Sequence, residues 1–257
     1  MNKIINKINK TGLYHFPNLF SLKETLKIKN KLSTIYKIRK LKKKFVGGSD
    51  NQILWNYFFE DKSLLNLLEI PKIDKLLKKL LDEDYVLQSS VAQNRLLLED
   101  KKKFRVGSTW HTDSRYLGGH RLDKNFSYLV IIALDDFTKE NGATYYVEGS
   151  LNLKNKPKRN INRKDLDPKK LKIKRLTMKA GTVCIMNSGI WHKAGESSLN
   201  SRWSIFSIYT GWFVKPYFKY DNFYKLKIKK SLKKLLHFNS QPPGISEIKP
   251  TLVKLKK

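Results

Sequence analysis

Residues 126–150 read FSYLVIIALDDFTKENGATYYVEGS. The first nine carry apolar side chains on both faces, as a strand does when it is covered on each side. Two aspartates follow. Asn141-Gly142 is then a tight-turn signal that reverses the chain into a second β-prone run, ATYYV at 143–147. Gly149-Ser150 opens the next loop. Outward from this stretch the same grammar repeats. YVLQSSVAQNRLLL (85–98), LKIKRLTM (171–178), GTVCIMN (181–187) and RWSIFSIYTGWF (202–213) are further short β runs separated by turn residues. Together they predict an antiparallel sandwich or barrel. Residues 151–171 are polar and Lys-rich, and read as a loop or short helix.

The N-terminal third is predicted to be mostly helical. In SLKETLKIKNKLSTIYKIRKLKKK (21–44), Leu22, Leu26, Leu32, Ile35 and Ile38 give a rough helical period. Ser21 followed by Glu24 forms a capping-box signature. Residues 47–49, GGS, break the pattern. A second helix is expected at 61–68, and a third at about 71–81 opened by Pro71. The expected organisation is a single domain over 1–257. It comprises a mostly helical part (1–84), a β core (85–215) and a Lys-rich extension (216–257).

A chain of 257 residues and 30.1 kDa can bury one sizeable core. Lysine and arginine number 53 against 22 aspartate and glutamate, a formal charge of +31. Such an excess normally suggests nucleic acid or an anionic membrane surface. Only nine of the 53 are arginine, however, and lysine is spread along the whole chain. The charge therefore reads as compositional drift, and nucleic acid is not the expected partner. No apolar run is long enough for a membrane span. The opening MNKIINKINKTGLYHF lacks the apolar segment of a signal peptide. A single cysteine, Cys184, suits a reducing compartment, so a cytoplasmic location is expected.

Among five histidines, the informative ones are His111 in STWHTDSRY and His192 in NSGIWHKAG. His111 and Asp113 stand two apart at what reads as a strand end, so both can face one point. A facial non-haem iron site needs one more imidazole, and a sandwich can bring His192 there. Arg202 opens the last β run, where it could pair bidentately with a carboxylate. Ser204 shares its strand face. Gln93 precedes the metal motif on a strand, and Arg115 and Tyr116 follow it at the expected mouth of the site. Trp110 and Trp191 are expected to pack around the ligands, and His120 to be structural or exposed. His15 and His237 are placed outside the β core. Cys184 reads as a small buried side chain.

The order of His111-x-Asp113, ALDDFTKENGATYYVEGS (133–150), GTVCIMNSGIWHKAG (181–195) and Arg202 resembles the phytanoyl-CoA dioxygenase family over about residues 85–215. The resemblance implies a double-stranded β-helix, a cupin-like jelly roll. It also implies an iron(II)- and 2-oxoglutarate-dependent dioxygenase that uses O2. Carried over by position, His111, Asp113 and His192 would be the iron ligands and Arg202 the partner of the distal carboxylate of 2-oxoglutarate, with Ser204 or another group left to supplement it. By their place in the chain, Gln93 could touch cosubstrate or substrate, and Arg115 and Tyr116 could border the mouth, where Arg115 could bind an anionic substrate. Two departures stand out: the step from His192 to Arg202 is one residue shorter than in many relatives, and Ala194 occupies a position that often carries a hydroxyl. The expected activity is hydroxylation of a C–H bond in a small-molecule or lipid-like substrate, with release of succinate and CO2. Asp113 favours hydroxylation over halogenation. The alternatives are a polyanion- or nucleic-acid-binding sandwich with a degenerate metal site, and a cupin-type isomerase.

Overall fold

The computed structural model describes residues 1–48, 51–96, 110–113, 126–152, 171–195, 201–217 and 227–237. Two sheets carry the architecture. The major sheet has six strands in the order β1 (Leu13–Phe16), β7 (Val183–Asn187), β4 (Ser127–Ala133), β9 (Arg202–Thr210), β3 (Val86–Arg95) and β2 (Asn51–Trp55). All its pairings are antiparallel. The minor sheet is β6 (Ile173–Arg175), β5 (Tyr145–Val147) and β8 (His192–Lys193). His111 extends it by a bridge to His192. This is the expected jelly-roll core with flanking helices, as an unclosed pair of sheets.

The two faces of the major sheet have different partners. One face presents Val130, Ile132, Val183, Ile185, Trp203 and Ile205 to the helices, where they join Ile28, Leu32 and Ile35 of α2 (Leu22–Leu41) and Ile73, Leu76 and Leu77 of α3 (Pro71–Leu81). The inward face presents Leu129, Ile131, Cys184, Met186 and Phe206 to Tyr146 of the minor sheet. This double cover explains why FSYLVIIAL carries apolar side chains on both faces. Each fully buried aliphatic side chain contributes about 1.5–3 kcal/mol.

Ser21 caps α2 with a complete capping box to Glu24, and Pro71 opens α3, both as predicted. The buried stripe of α2 keeps Leu32 and Ile35 of the predicted set but is otherwise different. It consists of Thr25, Ile28, Leu32, Ile35 and Arg39, while Leu22, Leu26 and Ile38 are exposed. Arg39 is buried because it pairs bidentately with Glu60, at 3.0 and 2.7 Å. The segment expected to be helical at 61–68 is a 3-10 helix, Lys62–Leu68.

Two strands come from the part expected to be helical. β1 and β2 form the two edges of the major sheet. His15 is therefore part of the β core, paired with Cys184, and not outside it. His237 follows the short α4 (Lys230–Leu235), the fourth helix after α1 (Asn2–Thr11), α2 and α3, and packs with its Nε2 3.2 Å from the Leu87 carbonyl.

Candidate active site

Two loop segments bring the site together. After β7, Asn187 accepts a bond from Gly189 N through its side chain (2.8 Å) and from Ile190 N through its carbonyl (3.0 Å). This Asx-type turn reverses the chain into β8. Trp191 N donates to Ser150 Oγ (3.0 Å), which ties the turn to the Gly149-Ser150 loop. The ring of His192 is then fixed by Nδ1, which lies 2.9 Å from the Ile190 carbonyl. Donation from Nδ1 leaves the Nε2 lone pair for a metal.

The segment 110–113 lies against this turn. His111 and His192 exchange both backbone hydrogen bonds at 2.9 Å, and Asp113 N donates to Ser188 O at 2.9 Å. The two rings lie 4.4 Å apart. Asp113 Oδ1 is 3.9 Å from His111 Nε2, and Oδ2 is 3.6 Å from His192 Nε2. One donor atom from each of the three residues lies within 4.8 Å of the others. Two imidazole nitrogens and one carboxylate oxygen at this spacing are a donor set that fits a facial iron site.

Strand register places the remaining residues. Directly opposed residues of antiparallel strands project to the same side. Ser204 opposes Ala133 and Gln93, and Arg202 opposes Arg95. Ser204, Gln93 and Arg202 thus share the inward face with Ile131 and Phe206. Gln93 donates to Asn51 Oδ1 at 2.8 Å. Arg202 is 4% exposed, and its guanidinium lies 3.7 Å from the centroid of Phe137. Phe137 belongs to the same inter-sheet cluster as Tyr146, the cross-strand partner of His192. Arg202 and the His–Asp–His group therefore border one interior.

The electrostatics of Arg202 are unusual. Its Nε and Nη1 are buried with no hydrogen-bond partner among the described residues. Burial first, and Arg95 second, pull its pKa down to about 9, against the attraction of Asp135. Both oxygens of Asp135 are engaged, Oδ1 by Lys29 Nζ (2.5 Å) and Oδ2 by Trp203 N (2.9 Å). A buried cation with unmet donors is a ready partner for a carboxylate.

The central signature is a scaffold, as expected. Asn141 accepts from Thr138 N and donates to the Asp136 carbonyl, shaping the turn before β5. Gly195 lies so close to Ala143 O and the Gly142 backbone that a Cβ would collide with both. This contact joins the Asn-Gly-Ala-Thr turn to the His-Lys-Ala-Gly segment. Trp110 and Trp191 cluster with Val147 beside the histidines. Cys184 is fully buried, and burial pushes its thiol up, away from reactivity. Arg115, Tyr116 and His120 lie outside the described residues.

A profile of the phytanoyl-CoA dioxygenase family matches residues 8–203. The chain belongs to the phytanoyl-CoA dioxygenase family. Among curated relatives, uncharacterized proteins of Mycobacterium tuberculosis and Mycobacterium bovis are each 27% identical over 143 residues, covering 54% of this chain and 47% of theirs. The chain thus spans about half the length of the curated relatives it matches.

Solved structures share the fold of this family member. The 2-oxoglutarate-dependent carbocyclase SnoK from nogalamycin biosynthesis is 16% identical, with a TM-score of 0.66 over 90% of this chain and 95% of its own. The epimerase SnoN, solved with Fe3+, 2-oxoglutarate and nogalamycin RO, is 16% identical, with a TM-score of 0.62 over 82% and 83%. HygX from Streptomyces hygroscopicus, solved with nickel, 2-oxoglutarate and hygromycin B, is 11% identical, with a TM-score of 0.63 over 85% and 90%.

Sequence reasoning did not single out Arg95, which the strand register sets opposite Arg202. It also missed β1 and β2. The alternating LYHF after Gly12 and NQILW after the GGS break were there to be read.

Proposed function

We propose that the protein is a hydroxylase that couples oxidation of 2-oxoglutarate to insertion of one oxygen atom into a C–H bond of a small molecule. Its balance is 2-oxoglutarate plus O2 plus R–H giving succinate, CO2 and R–OH. The observation that carries this reading is the pairing of the His111–Asp113–His192 donor set with a buried Arg202 on the same interior, whose Nε and Nη1 find no acceptor among the described residues. His111, Asp113 and His192 would hold the metal, which with O2 and the oxo acid supplies the oxidising power.

The chain's own residues do the rest. The Ile190 carbonyl keeps His192 in the tautomer that presents Nε2. The backbone pairing of 110–113 with 188–192 fixes the separation of the three donors. Arg202 binds and orients the cosubstrate through its distal carboxylate, and Ser204 stands one position inward along the same face. Trp110, Val147 and Trp191 wall the centre and exclude water. Gln93 lies where substrate or cosubstrate would pass, and Arg115 and Tyr116 are assigned by sequence alone to the entrance.

Asp113 supports hydroxylation over halogenation because a carboxylate occupies the third ligand position. Solved relatives of this fold include an epimerase and a carbocyclase as well as a monooxygenase, so the product must be identified directly. A polyanion-binding role leaves the buried Arg202 without a task. The test is anaerobic addition of iron(II) and 2-oxoglutarate. A visible charge-transfer band is expected in the wild type and not in His111→Ala. After oxygen is admitted with a small-molecule pool, stoichiometric succinate and a product heavier by one oxygen are expected. No band, and no succinate with any pool, refutes the proposal.

A further inference from the structure

α2 is apolar on two opposite faces. Ile28, Leu32 and Ile35 pack on the major sheet. Turned the other way are Leu22 (71% exposed), Leu26 (54%), Ile38 (40%) and Leu41 (83%), and Phe45 (69%) follows just past the helix end. Nine large apolar side chains are exposed among the described residues, and five of the nine lie on this one helix and its exit. They form a local feature, unlike single apolar residues scattered over a surface.

The cations of α2 divide along the same line. Lys29 pairs with Asp135, Lys31 with Asp61 and Arg39 with Glu60, all toward the body of the protein. At about 100° per residue, Lys23, Lys27, Lys37 and Lys40 share an arc of about 160° with the four exposed apolar residues of the helix, and the buried stripe occupies about 80° opposite. These four lysines are exposed, as are Lys42, Lys43 and Lys44 after them. Among the described residues no ion pair joins any of the seven to an acid. Glu24, the one acid of the helix, is held by Ser21 in the capping box.

Whatever covers this face must accept apolar side chains and cations together. A nucleic acid would neutralise the lysines but leave the leucines in water. A second copy of the chain would set one row of lysines against another. An anionic bilayer takes both, with the ammonium groups among the headgroups and the apolar side chains at the acyl boundary. α2 has 20 residues and is about 30 Å long. It lies on the face of the major sheet opposite the inward one, so a surface docked there leaves the His–Asp–His group uncovered.

We propose that the outer face of α2, with Phe45, docks the protein peripherally on an anionic lipid surface. This is independent of the reading of the active site. The test is cosedimentation of the full chain with vesicles of phosphatidylcholine alone and of phosphatidylcholine with about 30% phosphatidylserine. Wild type should prefer the anionic vesicles at least about tenfold, and rising salt should weaken the binding. Leu22→Gln/Leu26→Gln/Leu41→Gln and Lys37→Gln/Lys40→Gln/Lys44→Gln should each lose about tenfold or more in affinity. Lys62→Gln/Lys75→Gln/Lys79→Gln removes the same charge elsewhere and should stay within about twofold of wild type. All nine positions are exposed, so the three variants should melt with the wild type. No binding, equal binding to both vesicles, or an equal loss in the variant altered outside α2 overturns the inference. If the leucine variant binds as wild type does and single-stranded DNA competes with the vesicles, the face is a polyanion site and the lipid assignment falls.

Discussion

Replacing Arg202 with methionine separates a binding role from a structural one, because the two predict opposite signs. In the ligand-free protein the guanidinium is buried, stacked on Phe137 and, among the described residues, short of acceptors at Nε and Nη1. Its pKa is drawn from 12.5 to about 9, chiefly by burial. The proton is bound less tightly in the folded state, so at neutral pH the charged group costs stability. At roughly 1.4 kcal/mol for each tenfold change in proton affinity, that cost is at most about 5 kcal/mol. Methionine keeps the packing on Phe137 without the charge, and should return on the order of 1–3 kcal/mol. The melting temperature of Arg202→Met should thus rise or stay level. Cosubstrate binding should collapse. Two charge-assisted hydrogen bonds are worth about 1.5–3 kcal/mol each, so their loss raises Kd by a factor of about 100 or more. Differential scanning calorimetry without ligand and isothermal titration with 2-oxoglutarate under argon read the two effects. A variant that melts several degrees lower yet binds 2-oxoglutarate like the wild type would refute the argument, since it would make Arg202 a structural residue.

Three further outcomes are expected. His192→Ala should lose metal binding by at least tenfold, read by competition with a chromophoric chelator, while circular dichroism stays native; unchanged affinity would remove His192 from the donor set. Gly195→Ala should destabilise by about 1–3 kcal/mol, because its Cβ meets the Ala143 carbonyl and the Gly142 backbone, rigid atoms that cannot step aside. At this chain length that lowers Tm by roughly 2–12 °C, and a Tm equal to wild type would contradict the close contact. His237 is pulled down to about 4, mainly by burial, against the helping bond to the Leu87 carbonyl. The unfolded state therefore binds a proton near pH 6.5 that the folded state refuses until about pH 4. Stability is full above pH 6.5, falls as pH drops through that window, and is flat below it. After allowance for solvent screening the loss is on the order of 1–2 kcal/mol. The difference between wild type and His237→Gln in urea melts at pH 7 and pH 5 isolates it, and no difference would show that His237 titrates normally.

How far the site was legible from sequence depended on which signals were local. His111-x-Asp113 was legible because strand alternation puts two residues on one side whatever the surroundings. The capping box at Ser21 and the Asn141-Gly142 turn were legible because each is decided within four residues. The α2 stripe was misjudged because a hydrophobic period does not say which apolar residues will meet a partner. Arg39 is buried through Glu60, a contact no helical pattern announces. β1 and β2 were missed because four- or five-residue edge strands form only when a neighbour supplies the hydrogen bonds.

The sequence by itself determined the class of fold, through short β runs of fixed parity, and singled out the candidate donors, His111, Asp113 and His192, with a rare arginine at the start of a strand. Register and depth were decided only by the tertiary structure. Register depends on which strands pair, and it alone set Arg95 opposite Arg202 and Gln93 opposite Ser204. Depth depends on what covers a residue, and it alone turned Arg202 from one more cation in a chain of +31 into a desolvated guanidinium whose Nε and Nη1 lack acceptors among the described residues. Both are properties of contacts distant in the chain, whose free energies no local stretch contains.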